Sequence, residues 1–546
     1  MPFSASGILR ILSWRIRRRY QRHPALPLML ILMTLVFTPH AAQAHVGSPD
    51  VYAEGNAGPY RLFVTVRPPL VIPGVAEIEV RAEGQGSTPS GITGIQIAPI
   101  PLTGEASLHP PVADQMKQSA QDKQFFTGAL WIMASGSWQV RFNVDGSQGH
   151  GVLSIPVPAT SSSTRGMQAG LGALLGGLGL LLLAGVIGIV GAAARDAQLA
   201  PGAQPSASGR KRAWVGMAVA LVVTIAAVWF GNVWWKGEAD SYSRYVYKPL
   251  TMQATLAPDQ SLHLKIEDPG WIKSRKIDDF VLDHDHLMHL YLIRQPALDV
   301  VYHLHPDQVA PGKFRLSLPS IPAGTYSLYA DVVHATGFPE TLVAQLTLPE
   351  IAGRPLAGDD AKGLVQPITP LPGGPSSCPA NPAQAAKFQL PDGYTMIWNN
   401  AATLPARTPE VFEFSLLARD GKPASDTALY MGMLGHAAFV KEDGTVFAHV
   451  HPSGTVSMAA LMMAAAQNQT ASGSMASMPG MSMPGMETKS RSTAFANTPS
   501  ALPNTVGFPY GFPTAGAYRI FVQMKHEQTI ETAAFDACAT QPTLER

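Results

Sequence analysis

The chain has 546 residues, 46% hydrophobic and 14% charged, with a formal net charge of +1, 50 Gly, 47 Pro and two Cys. Its length calls for roughly three domains or more. The near-neutral balance, without long basic runs, gives no electrostatic footprint for nucleic acid, so no such partner is expected, and the hydrophobic fraction excludes general disorder. Two cysteines exclude a disulfide-rich scaffold or a four-thiolate site, so a bound metal must use other ligands and the 16 His and 21 Met become the residues to follow.

Arg10, Arg15, Arg17, Arg18, Arg19 and Arg22 precede an apolar run from Ala25 to Phe37, followed by Ala42-Gln43-Ala44 and then His45. This order predicts a secretory signal peptide over 1–44 with an A-x-A cleavage site, an uncleaved anchor being the alternative. Cleavage there would place the α-amino group and imidazole of His45 on one residue, where they can chelate copper. His109 or His150 would then complete a histidine brace. The competing reading is a chance His after the cleavage site.

Residues 45–165 carry short apolar or alternating runs, Tyr60–Val66, Ala76–Arg81 and Trp138–Val144, between Pro- and Gly-rich turns, which predicts a first exported β-sandwich. Two stretches, 167–194 and 213–235, are long enough to cross a bilayer and predict a transmembrane hairpin. Trp214, Trp234 and Trp235 at the ends of the second suit the interface. Arg195, Arg210, Lys211 and Arg212 make 195–212 a cationic loop expected in the cytoplasm, which places both large flanking segments on the periplasmic side of the cytoplasmic membrane. No Cys, Asp, Glu or His inside the spans marks an ion path, so transport would need a membrane-protein partner or an oligomer.

Strand-like runs from Ser261 to Leu348 predict a second β domain over 250–350. Residues 351–385, crowded with Pro, Gly and Ala, read as a linker. A third β domain over 386–546 is interrupted by a Met-, Ser- and Gly-rich insertion, 465–500. Cys378 and Cys538 could form one disulfide in an oxidising compartment; a paired-Cys metal site is the alternative. The fold expected is mainly β, with several exported sandwiches and a two-helix membrane hairpin.

The second and third domains repeat their histidines. Met288-His289, Tyr302-His303-Leu304-His305-Pro306, Ala323-Gly324-Thr325-Tyr326 and His334 form one series; Gly435-His436, Ala448-His449-Val450-His451-Pro452, Ala515-Gly516-Ala517-Tyr518 and His526 form the other. The first His precedes the His-x-His by 14 positions in one copy and 13 in the other, and Tyr326 to His334 matches Tyr518 to His526 at eight. In a strand, side chains at i and i+2 share a face about 6.8 Å apart, so His303 with His305, and His449 with His451, can converge on one ion. His289 or His334, and His436 or His526, would supply a third imidazole to each set. Imidazole suits Cu(II), Zn or Ni. The Asp283-His284-Asp285-His286 run adds a further possible cluster. The bland alternative is an inherited packing and turn motif around Pro306 and Pro452.

Met475, Met478, Met481, Met483 and Met486 fall within thirteen positions, preceded by Met458, Met462 and Met463. Thioethers are soft ligands that prefer Cu(I), and Gly, Pro and Ser spacing keeps them accessible. Imidazoles and thioethers in one exported region make copper the economical ion, with zinc the alternative. A compositionally biased linker is the competing account of the tract.

On the pattern His289…Tyr302-His303-Leu304-His305-Pro306…Ala323-Gly324-Thr325-Tyr326…Glu340-Thr341, the second domain, and less completely the third, resembles the exported YtkA-like β-sandwich proteins. The first, with its Trp138-Gln-Val-Arg-Phe-Asn-Val strand, is similar in outline to CopC-like copper carriers, although their Met and His ligand spacing is not evident. The resemblance implies immunoglobulin-like folds and makes metal binding plausible. The function expected is a non-enzymatic, membrane-anchored copper-binding protein for capture, buffering or transfer. The alternatives are a copper enzyme using His45, a zinc hydrolase using the His-x-His sets with Asp331 as base, and a metal-free scaffold for a membrane complex.

Overall fold

The computed structural model describes residues 49–84, 91–109, 111–164, 166–197, 199–200, 202–271, 275–368, 386–471 and 502–542. The expected signal peptide, His45, Cys378 and the methionines from Met475 to Met486 lie outside the described residues.

The chain is mainly β, and the alternation in its strands is what closes each layer. Leu62, Val64 and Val66 bury one face of Tyr60–Arg67. In spatial order, Val51–Ala57, Tyr60–Arg67, Gly74–Gly84, Phe125–Ile132 and Lys117–Gln118 form one sheet, and Asp114–Gln115, Ile92–Pro101, Gly136–Gly146 and Gly149–Ala159 the other. Their shared core includes Leu62, Val80, Ile97, Phe142 and Ile155.

Helices Ala169–Asp196 and Ala207–Ser243 are long and apolar enough to cross a bilayer, and almost none of their apolar surface is buried in the protein. They lie against each other where Gly191 leaves room for Met217, whose Cγ would stand 2.7 Å from an added Cβ. Ser206 caps the second helix by accepting from Gly209 N at 3.1 Å. That helix starts earlier than the apolar run suggests. Arg210, Lys211 and Arg212 therefore occupy its first turns, and Arg195 the last turn of the first helix, so the connector is shorter than 195–212.

In the second sandwich, Thr251–Leu256, Ser261–Glu267, Lys313–Ser317 and Asp307–Ala310 face Pro339–Leu348, Gly324–Val333, His289–Gln295, Val300–Leu304 and Ala361–Leu364. The last strand corrects the linker expectation. Ala361–Leu364 pairs with Val300–Leu304, Ile351 bridges Ile321, and Ile368 is buried, so 351–368 belong to the sandwich. Backbone pairing at an edge demands little of the side chains, which is why a Pro- and Gly-rich composition hid it.

The third sandwich pairs Lys387–Gln389, Thr395–Trp398, Glu410–Leu417 and Thr505–Tyr510 in one sheet. The other holds Leu404–Pro405, Thr529–Thr540, Gly516–His526, Gly435–Lys441 and Phe447–Val450. Buried Cys538, on Thr529–Thr540, is disulfide-bonded. Residues 465–471, expected to open an irregular insertion, instead complete helix Met458–Ala471, whose Met- and Ala-rich sequence favours that state.

The second and third sandwiches dock sheet to sheet. Tyr291, Ile293, Val301 and Tyr329 pack on Ala438, Val440, Phe447 and Phe521, with Tyr329 and Phe447 stacked at 4.3 Å. Strand His289–Gln295 is covered on both faces over its first five residues, which explains why it reads as a continuous apolar run. Each buried side chain of this kind contributes roughly 1.5–3 kcal/mol, so apolar burial alone favours the docked faces. The first sandwich also joins the third: Ala53 bridges Gly454, and Glu54 N donates to Ser453 O at 3.0 Å. Gly454 has φ +113°, and a Cβ there would lie 2.0 Å from Tyr52 O. The three sandwiches thus share contacts instead of standing apart as tethered units.

Candidate metal centre between two sandwiches

On the docked faces, alternation carries histidine out to the end of each sheet. His289 shares a face with Tyr291 and Ile293, and His303 is paired with Tyr291. In the other sandwich His436 shares a face with Ala438 and Val440, and His449 is paired with Ala438. The two copies therefore use the same register. His305 and His451 extend each set by two positions, and the rings meet: His289–His449 and His303–His449 centroids are each 5.4 Å apart, and His303–His436 6.2 Å.

A turn adds two more imidazoles. Asp283 and His286 exchange backbone hydrogen bonds around His284 and Asp285, both with positive φ. His284 reaches across to His436 at 5.1 Å and His451 at 5.0 Å, and His286 stacks on His305 at 3.8 Å. The duplicate of this turn is Tyr430–Met433, with positive φ at Met431 and Gly432, three residues before His436, as Asp283–His286 stands three before His289. Met431 and Met433 thus occupy the places of His284 and His286.

The hydrogen bonds fix which nitrogens carry protons. His289 Nε2–H donates to Asp283 O at 3.0 Å, and His303 Nδ1–H donates to Gln523 Oε1 at 3.0 Å. Gln523 Nε2 donates to Thr532 Oγ1, which orients the amide. His451 Nδ1–H donates to Val456 O at 3.2 Å, His305 Nδ1–H to Asp360 Oδ1 at 3.1 Å, and His449 Nδ1 lies 3.3 Å from Asp331 Oδ2. Five lone pairs are left facing inward, on His289 Nδ1 and on Nε2 of His303, His305, His449 and His451.

Among the described residues, Nε2 of His284, His286, His305, His449 and His451, and both nitrogens of His436, are buried without a hydrogen-bond partner. His289 Nδ1 and His303 Nε2 oppose each other at 3.2 Å. Two nitrogens each about 2.0 Å from one tetrahedral ion stand about 3.3 Å apart.

Burial, reinforced by neighbouring imidazoles, pushes the pKa of His289, His303, His436 and His449 well below the ordinary histidine value, that of His305 to about 3 and that of His451 to about 4. The rings are therefore neutral, the state a metal requires. Behind them, burial raises Asp331 to about 7 and Asp360 to about 6. Carboxylates on the far side of ligating imidazoles orient such rings in metal sites.

A cavity of about 260 Å³ reaches His289, His449 and His451 and is lined also by Ser162 and Tyr247, which flank the helical pair in sequence.

Two expected ligands lie elsewhere. His334 Nδ1 is 2.7 Å from Asp279 and its Nε2 3.0 Å from Glu340, and its ring packs on Phe280. His526 Nε2 is 3.0 Å from Asp392 and its ring stacks on Tyr394 at 4.0 Å, in a separate group with Glu531. The reason is parity. Asp331 and Gln523 face the docked surface, and a residue three positions further along a strand faces away. His109 and His150 are exposed, the latter 2.9 Å from Asp145.

Residues 387–541 match a family described as a domain of unknown function (DUF8832). No curated protein matches the chain. Among solved structures, trypsin-activated α2-macroglobulin from Escherichia coli is 7% identical with a TM-score of 0.16; the alignment covers 93% of this chain and 25% of that one. The BSP domain of a biofilm-associated protein is 8% identical with a TM-score of 0.14, covering 94% and 69%. Dimeric latent PorU from Porphyromonas gingivalis is 7% identical with a TM-score of 0.13, covering 86% and 32%. This chain spans about a quarter of the E. coli protein and a third of PorU, and none of these scores supports a common fold or function.

Proposed function

We propose that this chain is a membrane-anchored copper-binding protein that captures, buffers or passes the ion on the extracytoplasmic side of the cytoplasmic membrane. The observation that carries the reading is the set of buried imidazole nitrogens whose lone pairs converge without a hydrogen-bond partner among the described residues. Each such orphan costs about 1–3 kcal/mol unless something pairs with it, and neutral imidazole is a good ligand for Cu(II) and Zn. The methionine run, a soft donor set for Cu(I), selects copper over zinc. The exposed apolar helices supply the anchor, and the cationic residues at their connector orient it. The YtkA-like and CopC-like resemblances, with the metal handling they imply, enter as part of this proposal.

Copper bound by the purified full-length protein in detergent, measured by elemental analysis after gel filtration, tests it. Wild type should retain copper, His303→Ala/His305→Ala and His449→Ala/His451→Ala should each lose it in part, and zinc should compete poorly. Equal retention by all three proteins would remove the assignment.

The cavity that reaches three of the rings favours one second reading, a copper-dependent enzyme. Turnover of a reductant by the copper-loaded protein, abolished in the same variants, would distinguish it.

A further inference from the structure

We infer that the imidazole cluster takes two ions, each a borderline or soft divalent or monovalent cation such as copper or zinc. This inference rests on the metal reading above. His289, His303 and His305 bring their donor nitrogens within 4.8 Å of one another, and so do His284, His436 and His451. The two sets share no residue. The first comes wholly from the second sandwich. The other spans the junction, with His284 from the second sandwich and His436 and His451 from the third.

His449 stands between the sets. Its ring is 5.4 Å from His289 and from His303 on one side, and 5.5 Å from His436 and 4.5 Å from His451 on the other. A single four-coordinate ion would use four of these seven rings and leave three buried without a partner, at about 1–3 kcal/mol each. Two ions, each held by one set, with His449 as a fourth ligand to one of them, account for all seven. His286 stays outside both sets: it stacks on His305, and its Nε2, without a hydrogen bond among the described residues, has the Asp359 carboxylate 3.6 Å away.

The test counts ions lost. Full-length protein in detergent is loaded with zinc alone, which thioethers hold poorly, and bound zinc per chain is compared for wild type, His305→Gln, His451→Gln and the combined variant. Each single variant should lose one ion, and the combined variant two. Loss of only one ion from the combined variant, or of all cluster zinc from either single variant, overturns the two-ion centre while leaving metal binding intact. No loss in the combined variant removes the metal reading itself. Should a variant not fold, copper-loaded wild type decides: half-loaded and fully loaded samples should differ by spin–spin broadening of the Cu(II) resonance, and identical line shapes overturn the proposal.

Discussion

Nδ1 of His289 faces Nε2 of His303 at 3.2 Å, and the one N–H of each neutral ring already donates to an oxygen that only accepts, Asp283 O and Gln523 Oε1. Opposed lone pairs repel until a cation sits between them. Copper should therefore raise the melting temperature of the wild type, the stabilisation reaching about 2.7 kcal/mol at free copper 100 times Kd. His303→Ala should abolish most of that rise, and thermal melts with copper and with chelator check it. An equal response from both proteins would show that the pair takes no part.

Acid should destabilise the metal-free chain. Histidines that titrate near 3 and 4 when folded (His305 and His451) titrate near 6.5 when unfolded, so the unfolded chain binds more protons between those values. Their contribution is complete above about pH 6.5 and is lost as pH falls toward 4 and 3. His289, His303, His436 and His449 act in the same direction. Asp331, Asp360 and Glu531, raised to about 7, 6 and 7, act in the opposite one, as do Asp50, Glu410 and His334, but His289, His303, His436 and His449 are held well below their ordinary value and set the balance. Urea midpoints from pH 7.5 to 4 should fall steadily, and less steeply for His305→Gln.

His334→Gln should separate structure from binding. Burial alone would lower the His334 pKa, yet hydrogen bonds and charge from Glu340 and Asp279 outweigh it and raise the value, so its stabilisation is complete below about pH 6.5 and is lost as pH rises through the folded pKa. The substitution strips a partner from Glu340, whose side chain is fully buried beside Arg275. A stability loss of roughly 1–3 kcal/mol is expected at pH 6, with copper stoichiometry unchanged. Denaturation and metal analysis of one preparation test both halves.

Arg519→Ala should weaken metal binding without touching a ligand. Arg519 Nη1 donates to the carbonyls of Leu298 and Gln366 across the docked faces, at 2.9 and 2.6 Å, while Nε and Nη2 hold Asp536. Truncation leaves buried carbonyls unpaired and should cost roughly 3 kcal/mol. Because His284 belongs to one sandwich and His436 and His451 to the other, the copper Kd should rise at least tenfold by competition titration. An unchanged Kd would show that the faces stay in register without the clamp.

Much of this arrangement is legible in the sequence. The His-x-His pairs follow from alternation, and His289 and His436 from their similar distances to those pairs, 14 and 13 positions. Strand parity, read one residue past Gly324–Val333 and to the end of Gly516–His526, would have removed His334 and His526. The turn at Asp283–His286 carries a visible His-x-His of its own, and its match to Tyr430–Met433 emerges only when the offset to the following histidine is compared. No periodicity announces that the two sandwiches dock through these faces, because a strand buried on both sides has the same apolar run whatever covers it.

Asp283 Oδ1 accepts from Ala459 N at 2.7 Å in the first turn of helix Met458–Ala471, while its neighbour His284 reaches into the imidazoles. That helix leads in sequence straight to the methionine run. One β-turn thus joins the first turn of that helix, through Asp283, to the imidazole cluster, through His284, so a shift of the helix start displaces the residue next to those rings.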